Sequence, residues 1–336
     1  MTKIAINGFG RIGRSVFRRI LEKHPDLEIG AINDLTDNRT LAHLLKYDSN
    51  YGIYAKSVSH NDQCLKVEGQ EFKCMAEKDP ANLPWQKLSI DIVLECTGCF
   101  AKLEDAQKHL EAGAKKVIIS APSKSEDVSH LVMGVNEDKY DSAKDKVVSM
   151  ASCTTNCLAP VVKILDDQFE IESGLMTTIH SYTNGQRLLD APHRDLRRAR
   201  AAALSMVPTT TGATVAVIKT LPQLKGKISG LAIRVPTSIV SIVDFVTKVK
   251  KDTDVEGVNK VFKEIANKGR LKGILDVEEA CLVSVDYRNN PFSAIIDLTS
   301  TMVQNKNLVK VLAWYDNEWA YACRLAELTQ FIGKKL

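Results

Sequence analysis

Apolar positions in the first 150 residues form short runs separated by helical stripes. Residues 3–7, with Ile4 and Ile6, and residues 27–32 read as buried strands. Between them Val16, Phe17, Ile20 and Leu21 lie at helical spacing until Pro25 ends the pattern. The near-continuous run at 90–94 is that of a strand buried on both faces, and 117–120 and 146–150 read as further strands. A helix over 101–112 stops at Gly113, a residue suited to the left-handed position past a helix end. Strand and helix in alternation predict a parallel, doubly wound sheet.

Beyond residue 150 the texture changes. Leu158, Val161, Val162, Leu165 and Phe169 predict a helix. Pro160 is harmless in a first turn and disruptive further in, so this helix either begins close to Asn156 or is kinked. Residues 175–183, 230–235, 239–249, 282–287, 293–302 and 308–314 read as strands with partial alternation. One clear helix interrupts them: it opens with Thr253 and Glu256 in capping-box spacing, runs through Val258, Val261, Phe262 and Ile265, and ends at Gly269. Many strands with few crossover helices predict a largely antiparallel sheet covered on one side. A last helix (Tyr321, Leu325, Leu328, Ile332) is expected to pack back on the first domain. The expected division is therefore 1–152 with 317–336 as one domain and 153–316 as the other.

A chain of 336 residues fits two domains, and its apolar and charged fractions are those of an ordinary globular protein. A net charge of +4 is too small to imply nucleic acid as a primary partner, though anionic substrates suit it. The chain shows neither a leader nor an apolar run of bilayer length, and its eight cysteines are scattered, so reduced thiols and a cytoplasmic location are expected. Cys96 with Cys99 and Cys153 with Cys157 have a metal-like look, but neither pair has a partner pair or a nearby His, so no metal is expected.

Two stretches carry chemistry. Gly8-Phe9-Gly10-Arg11-Ile12-Gly13 follows the first strand and opens the first helix, and Asp34 closes the next strand. That is the context in which a glycine turn binds a dinucleotide: the glycines let the backbone approach a pyrophosphate, and the acid accepts from the adenosine ribose. Asp34 repels a 2′-phosphate and so favours NAD over NADP. Ligands of such sheets lie at the carboxyl ends of the strands, which points to Thr97, Gly98 and Ser120, residues equally suited to plain turns. The second stretch is ASCTTNC at 151–157, which places Cys153 at a strand-to-helix junction where an anion is favoured. A helix terminus contributes roughly 0.3–1 kcal/mol, less than one pKa unit at about 1.36 kcal/mol, so a thiolate needs a second group. His180, at the end of the 175–183 strand and before Ser181-Tyr182-Thr183-Asn184, is the imidazole that fits a thiolate–imidazolium pair. Anion-binding residues gather in the same half: Thr183, the run Arg194, Arg197, Arg198 and Arg200, the run Thr209-Thr210-Thr211-Gly212, and Arg234, which interrupts an apolar strand. Near the end, Asn317 in WYDNEW offers a donor and an acceptor to a carboxamide.

INGFGRIGR, ASCTTNC, HSYTN, DLRRARAAA, TTTGA, RVPT and WYDNEW stand in this order, and with them the chain resembles the phosphorylating glyceraldehyde-3-phosphate dehydrogenase family over residues 3–332. The resemblance implies an α/β chain: an N-terminal Rossmann domain binding NAD, an α+β catalytic domain on a mostly antiparallel sheet, and a homotetramer. It implies that Cys153 attacks glyceraldehyde 3-phosphate, that His180 accepts the proton, and that a thiohemiacetal and then a thioester precede release by inorganic phosphate. The Cys153 N–H and His180 would stabilise the oxyanion. Thr183 and Arg234 resemble the residues that hold the substrate phosphate. Ser152, Thr154, Thr211 and Gly212, with Arg198 nearby, resemble those that receive the attacking phosphate, and Asn317 resembles the nicotinamide anchor. Three positions depart from the family: Gly185 where Asp is frequent, Phe292 where His is usual, and Ala191-Pro192 where NAD-specific members have Leu-Pro. The last weakens the bias set by Asp34, so NAD with some NADP use is expected. Erythrose-4-phosphate dehydrogenase is the rival within the family, and retention of TTTGA and SYTN argues against it. A cofactor-binding regulator with a vestigial site would leave Cys153, His180 and Arg234 without purpose. A Cys–His hydrolase would leave Asp34 unexplained.

Overall fold

A computed structural model describes all 336 residues. The chain divides into two compact units. One comprises Met1–Leu131, Glu137–Ala151 and Ala322–Leu336; the other comprises Val132–Asn136 and Ser152–Tyr321.

The first unit runs β1 (Thr2–Asn7), α1 (Arg11–Lys23), β2 (Leu27–Asn33), α2 (Asn38–Lys46), a small hairpin of β3 (Tyr47–Asp48) and β4 (Gly52–Ile53), then β5 (Val58–His60), β6 (Cys64–Val67) and β7 (Gln70–Met75). It continues with α3 (Trp85–Leu88), β8 (Ile92–Glu95), α4 (Leu103–Glu111), β9 (Lys116–Ile119), β10 (Ser129–His130) and β11 (Val147–Ser149). Nine strands form one sheet in the order β10-β11-β9-β8-β1-β2-β7-β6-β5. Pairing is parallel from β10 through to β7. The strand order reverses beside β1, the place where an open α/β sheet leaves a crevice for a ligand. Ile4, Ile6, Val93 and Leu94 are wholly buried, as strands covered on both faces require. The antiparallel end, β5 to β7, has short and partly exposed strands and gave no clear periodic signal.

The second unit contains α5 (Cys153–Phe169), β12 (Ile171–Ser181), β13 (Val207–Thr209), α6 (Ala213–Thr220), β14 (Ile228–Val235), β15 (Ser241–Val249), α7 (Val255–Ile265), β16 (Leu275–Glu278), β17 (Ala294–Gln304) and β18 (Leu308–Tyr315). Helix α8 (Trp319–Gly333) begins here, and its residues from Ala322 onward belong to the first unit. Seven strands pair in the order β13-β14-β12-β15-β18-β17-β16. Only β12 with β14 and β16 with β17 are parallel, so the sheet is largely antiparallel. Helices α5, α6 and α7 pack on it. Alternate residues of each central strand are buried, Val243 and Phe245 on β15 and Val311 and Ala313 on β18 among them.

Two expectations need correction, and one choice left open is narrowed. Residues 282–287 do not form a strand. Asp286 accepts the Val283 N–H through its side chain and returns a backbone bond to the Val283 carbonyl, so a 3-10 turn at Ser284–Tyr287 displaces the extended chain. The edge strand is β16 instead. A second helix, α6, accompanies α7; it is short and apolar on most sides, which leaves no helical period to read. Of the two possibilities for Pro160, a helix start near Asn156 is ruled out: α5 starts at Cys153, Pro160 lies two turns inside it, and helix continues past it to Phe169. No helix is long and apolar enough to cross a membrane.

Candidate active site

Cys153 is the first residue of α5. Ala151 before it has φ of 56°, a left-handed conformation uncommon for alanine that turns the chain sharply into the helix. Ser152 caps the helix, its hydroxyl accepting the Thr155 N–H at 3.0 Å. His180 shares its side of β12 with Met176 and Thr178, the buried side, because strand side chains alternate. This parity brings His180 Nε2 to 3.5 Å from Cys153 Sγ. Tyr315 joins the two elements: its hydroxyl lies 2.9 Å from the hydroxyls of both Thr154 on α5 and Thr178 on β12. In the parallel pairing of β12 with β14, His180 stands opposite Arg234. Arg234 Nη1 consequently sits 2.7 Å from His180 Nδ1 and donates to the Ser181 carbonyl at 3.0 Å.

These surroundings decide the charges. Burial pushes the Cys153 thiol up, while the charge of Arg234 pulls it back down. Burial and then Arg234 push His180 the other way, down to about 3. Both directions, the thiol up and the imidazole down, work against the charge separation of the thiolate–imidazolium pair expected from the sequence. A proton moved from sulfur to Nε2 would create opposite charges 3.5 Å apart. At an effective dielectric of about 20 that attraction is about 5 kcal/mol, which offsets part of the transfer. The Ser181 carbonyl, 2.7 Å from Nδ1, favours the tautomer with Nδ1–H, which leaves Nε2 free to accept the proton. In that tautomer the Arg234 N–H and the imidazole N–H face each other. An anion that drew the guanidinium aside would relieve both the contact and the repulsion.

Other residues singled out in this unit are placed less centrally. Arg198 donates to Thr209 Oγ1 at 2.9 Å and to the Thr210 carbonyl at 3.2 Å, and its charge reaches Arg234. Thr211 Oγ1 accepts the Ala213 N–H, and Gly212 precedes α6 with open space at its Cα and no side-chain cap, leaving first-turn N–H groups for an anion. Thr154 is buried, with its hydroxyl committed to Tyr315. Thr183 is exposed; its N–H is accepted by Gln186. Gln186, which the motifs did not single out, is buried with no partner for Nε2. Asn317 is buried beside Ser181 and Ser241, the latter likewise unread in the sequence.

The first unit contains a cleft of about 760 Å³ lined by Asn7, Gly8, Gly10, Asp34, Cys96, Thr97 and their neighbours. Its residues fit a dinucleotide. Gly8 has φ of +92°, and a Cβ there would meet the Thr97 nitrogen at 2.6 Å. A Cβ on Gly13 would collide with the Gly8 carbonyl, whereas Gly10 has open space beside it, at an α1 N-terminus with no acid in its first turn. Asp34 accepts the N–H of Phe9 at 2.7 Å and that of Thr36 at 2.9 Å, and keeps lone pairs for ribose hydroxyls. Phe9 itself turns its ring inward against Phe17. Arg11 pairs with Asp48, Ile12 is half-buried in the first turn, and Ser120 bonds the Glu95 carbonyl outside the cleft lining.

Beneath the cleft lies a network that no motif announced. Glu95, wholly buried, accepts from Asn7 and from the Thr97 N–H at 2.8 Å, and its Oε2 lies 3.1 Å from His109 Nε2. Trp85 Nε1 can only donate, and it does so to His109 Nδ1 at 3.0 Å; Nε2 therefore carries the imidazole proton and points at Glu95. Asn33 completes the set by donating to Asn7 at 2.7 Å. The sequence signal was an acid ending an apolar strand, meaningful only once its partners are known.

The model of the glyceraldehyde 3-phosphate dehydrogenase NAD binding domain matches residues 2–103, and that of the C-terminal domain of the same enzyme matches residues 152–317. A glyceraldehyde-3-phosphate dehydrogenase of Geobacillus stearothermophilus is 58% identical over 333 residues, 99% of this chain and 98% of that protein. One from Streptomyces coelicolor is 53% identical over 99% of both, and glyceraldehyde-3-phosphate dehydrogenase 1 of Bacillus cereus is 55% identical over 100% of this chain and 99% of its own. With a glycine-turn cleft in one unit, a cysteine–histidine centre in the other and likeness of this extent along the whole chain, the protein belongs to the glyceraldehyde 3-phosphate dehydrogenase family.

Proposed function

We propose that Cys153 and His180 carry the NAD-dependent oxidative phosphorylation of glyceraldehyde 3-phosphate to 1,3-bisphosphoglycerate. The observation that carries this reading is the 3.5 Å approach of Sγ to Nε2 at a helix N-terminus, with Arg234 against the far side of the imidazole. The substrate phosphate takes Arg234, with Thr183, and draws the guanidinium away from Nδ1. The imidazole becomes more basic, accepts the thiol proton at Nε2, and the sulfur attacks the aldehyde carbon. The resulting oxyanion of the thiohemiacetal meets the Cys153 N–H and the imidazolium. NAD, when bound, supplies the hydride acceptor that converts the thiohemiacetal to a thioester. Inorganic phosphate, received by Ser152, Thr211, Gly212 and Arg198, then attacks the thioester carbon and releases the sulfur. Thr154 contributes through its backbone, since its hydroxyl is held by Tyr315.

The cofactor would be held by the Gly8-to-Ile12 turn, with Gly8 and Phe9 shaping it and the α1 N-terminus beyond Gly10 facing the pyrophosphate, by Asp34 at the adenosine ribose, by Thr97, with Ser120 beside it, and by Asn317 at the nicotinamide. Asp34 favours NAD, and Ala191 leaves some NADP use. The named relatives lend no support to erythrose 4-phosphate as substrate. Eight free cysteines suit a reducing, cytoplasmic setting. A homotetramer is supported by large apolar side chains facing solvent between residues 186 and 206: Leu188, Leu189, Leu196, Leu204 and Met206 are each 72% or more exposed in the single chain.

The test is an assay with purified protein, glyceraldehyde 3-phosphate and NAD, with and without inorganic phosphate, following reduced nicotinamide. The expected result without phosphate is one burst, equal to the enzyme sites, and no sustained turnover. Steady turnover in the absence of phosphate would overturn the phosphorylating reading.

A further inference from the structure

Asn317 Oδ1 accepts two hydrogen bonds, from Ser181 Oγ at 3.0 Å and from Ser241 Oγ at 3.1 Å. Ser241 Oγ in turn accepts the Ser181 backbone N–H at 3.1 Å. Strand register makes this cluster: β12 and β15 pair Ile179 with Ile242, and β15 pairs Ser241 with Tyr315, two residues before Asn317. Both serines are buried, so their hydroxyl protons have no water to turn to. Rotating the Asn317 amide by half a turn would aim N–H groups at two hydroxyls and leave two buried O–H protons without an acceptor, each a loss the fold resists. The amide orientation is therefore fixed by its partners. Oδ1 is saturated, while Nδ2 carries no hydrogen bond within the protein, so the residue offers donors and nothing else.

We propose that Ser181 and Ser241 are positioning residues that lock Asn317 as a pure donor, so that the nicotinamide carboxamide is recognised through its carbonyl oxygen and not through its amino group. This rests on the reading of Asn317 as the nicotinamide anchor. A carboxamide turned by half a rotation would set N–H against N–H, so the lock selects one rotamer of the ring substituent. The expectation that Asn317 serves as donor and acceptor alike is narrowed to donor.

Calorimetric binding to cofactor-free enzyme tests this without any turnover. The ligands are NAD, its 3-acetylpyridine analogue, which keeps the carbonyl and exchanges NH₂ for methyl, and its thionicotinamide analogue, which exchanges the carbonyl oxygen for weakly accepting sulfur. The acetylpyridine analogue is expected within about threefold of NAD, and the thio analogue about tenfold weaker, the size of one neutral hydrogen bond. A Ser181→Ala/Ser241→Ala protein is expected to bind the thio analogue within about threefold of NAD, since the amide can then rotate. Tenfold loss for the acetylpyridine analogue in the unaltered enzyme, or a thio penalty unchanged in the double variant, would overturn the proposal. An Asn317→Ala protein that binds NAD as the parent does would overturn the anchor reading itself, an outcome separate from failure of the lock. The analogue comparison needs no variant, so poor folding of the double variant leaves the decisive measurement intact.

Discussion

Arg234 acts on both members of the proposed catalytic pair, lowering the thiol and lowering the imidazole. Its guanidinium nitrogen is 2.7 Å from His180 Nδ1, so the stronger effect falls on the imidazole. Replacing it by leucine removes a like charge from His180 and, on the proposed mechanism, a charged donor from the substrate phosphate. Arg234→Leu is expected to raise the His180 pKa above its value of about 3, read by NMR titration, and to raise KM for the aldehyde by roughly tenfold or more. An unchanged His180 titration would show that burial alone keeps the ring neutral. At this scale the sequence located Cys153, His180 and Arg234, and the structure adds the burial and the third charge that act on the pair. Motif spacing says which groups meet; desolvation and a third charge decide where their protons rest.

Among the elements, α5 and β12 owe their alignment to one hydroxyl. Tyr315 is fully buried, and its OH bridges Thr154 and Thr178 with no water at hand. Tyr315→Phe keeps the ring and leaves two buried threonine hydroxyls short of a partner, at an expected cost of about 1–3 kcal/mol. Thermal unfolding of the variant is expected several degrees below the parent, together with slower alkylation of Cys153 as the helix N-terminus shifts; an unmoved midpoint would show that the threonines find other partners. The elements also show how far local pattern reaches. Long apolar runs and amphipathic helices were legible, as with β1, β8 and α7, although α7 is capped by Asp254 and not Thr253 and ends at Ile265, short of Gly269. The 282–287 segment was misread because a side-chain turn at Asp286 outweighs apolar alternation, and α6 was missed because a short helix buried on most sides has no polar stripe.

Over the whole molecule, two properties are collective. The exposed leucines of the 186–206 segment are too many and too apolar for a surface left in water. If the proposed homotetramer uses this segment, Leu189→Asp with Leu204→Asp is expected to shift sedimentation toward dimers or monomers; sedimentation unchanged by both charges would place any subunit contact elsewhere. The second property is acid lability. His24 is buried, and burial first, then the charge of Arg19, lowers its pKa. A histidine depressed in the folded chain adds stability that is full above the unfolded value of about 6.5 and is lost as pH falls through the folded value. The unfolding midpoint is therefore expected to drop below pH 6.5, and His24→Asn to flatten that slope. An identical slope in the variant would assign the lability to other groups, His180 first among them.

The sequence by itself determined the parts: a glycine turn ahead of a helix, an acid closing the second strand, a cysteine at a helix start, and a histidine at the end of an apolar strand. Each is a relation among residues a few positions apart, where dihedral preference and periodicity act. Only the tertiary structure decided that Arg234 faces His180 across a parallel pair, that Glu95 answers His109 and Asn7, and that two serines exhaust the acceptor of Asn317. Those relations span from 14 to 136 positions. They follow from strand register and helix packing, and a one-residue slip in either would dissolve them while leaving every motif intact.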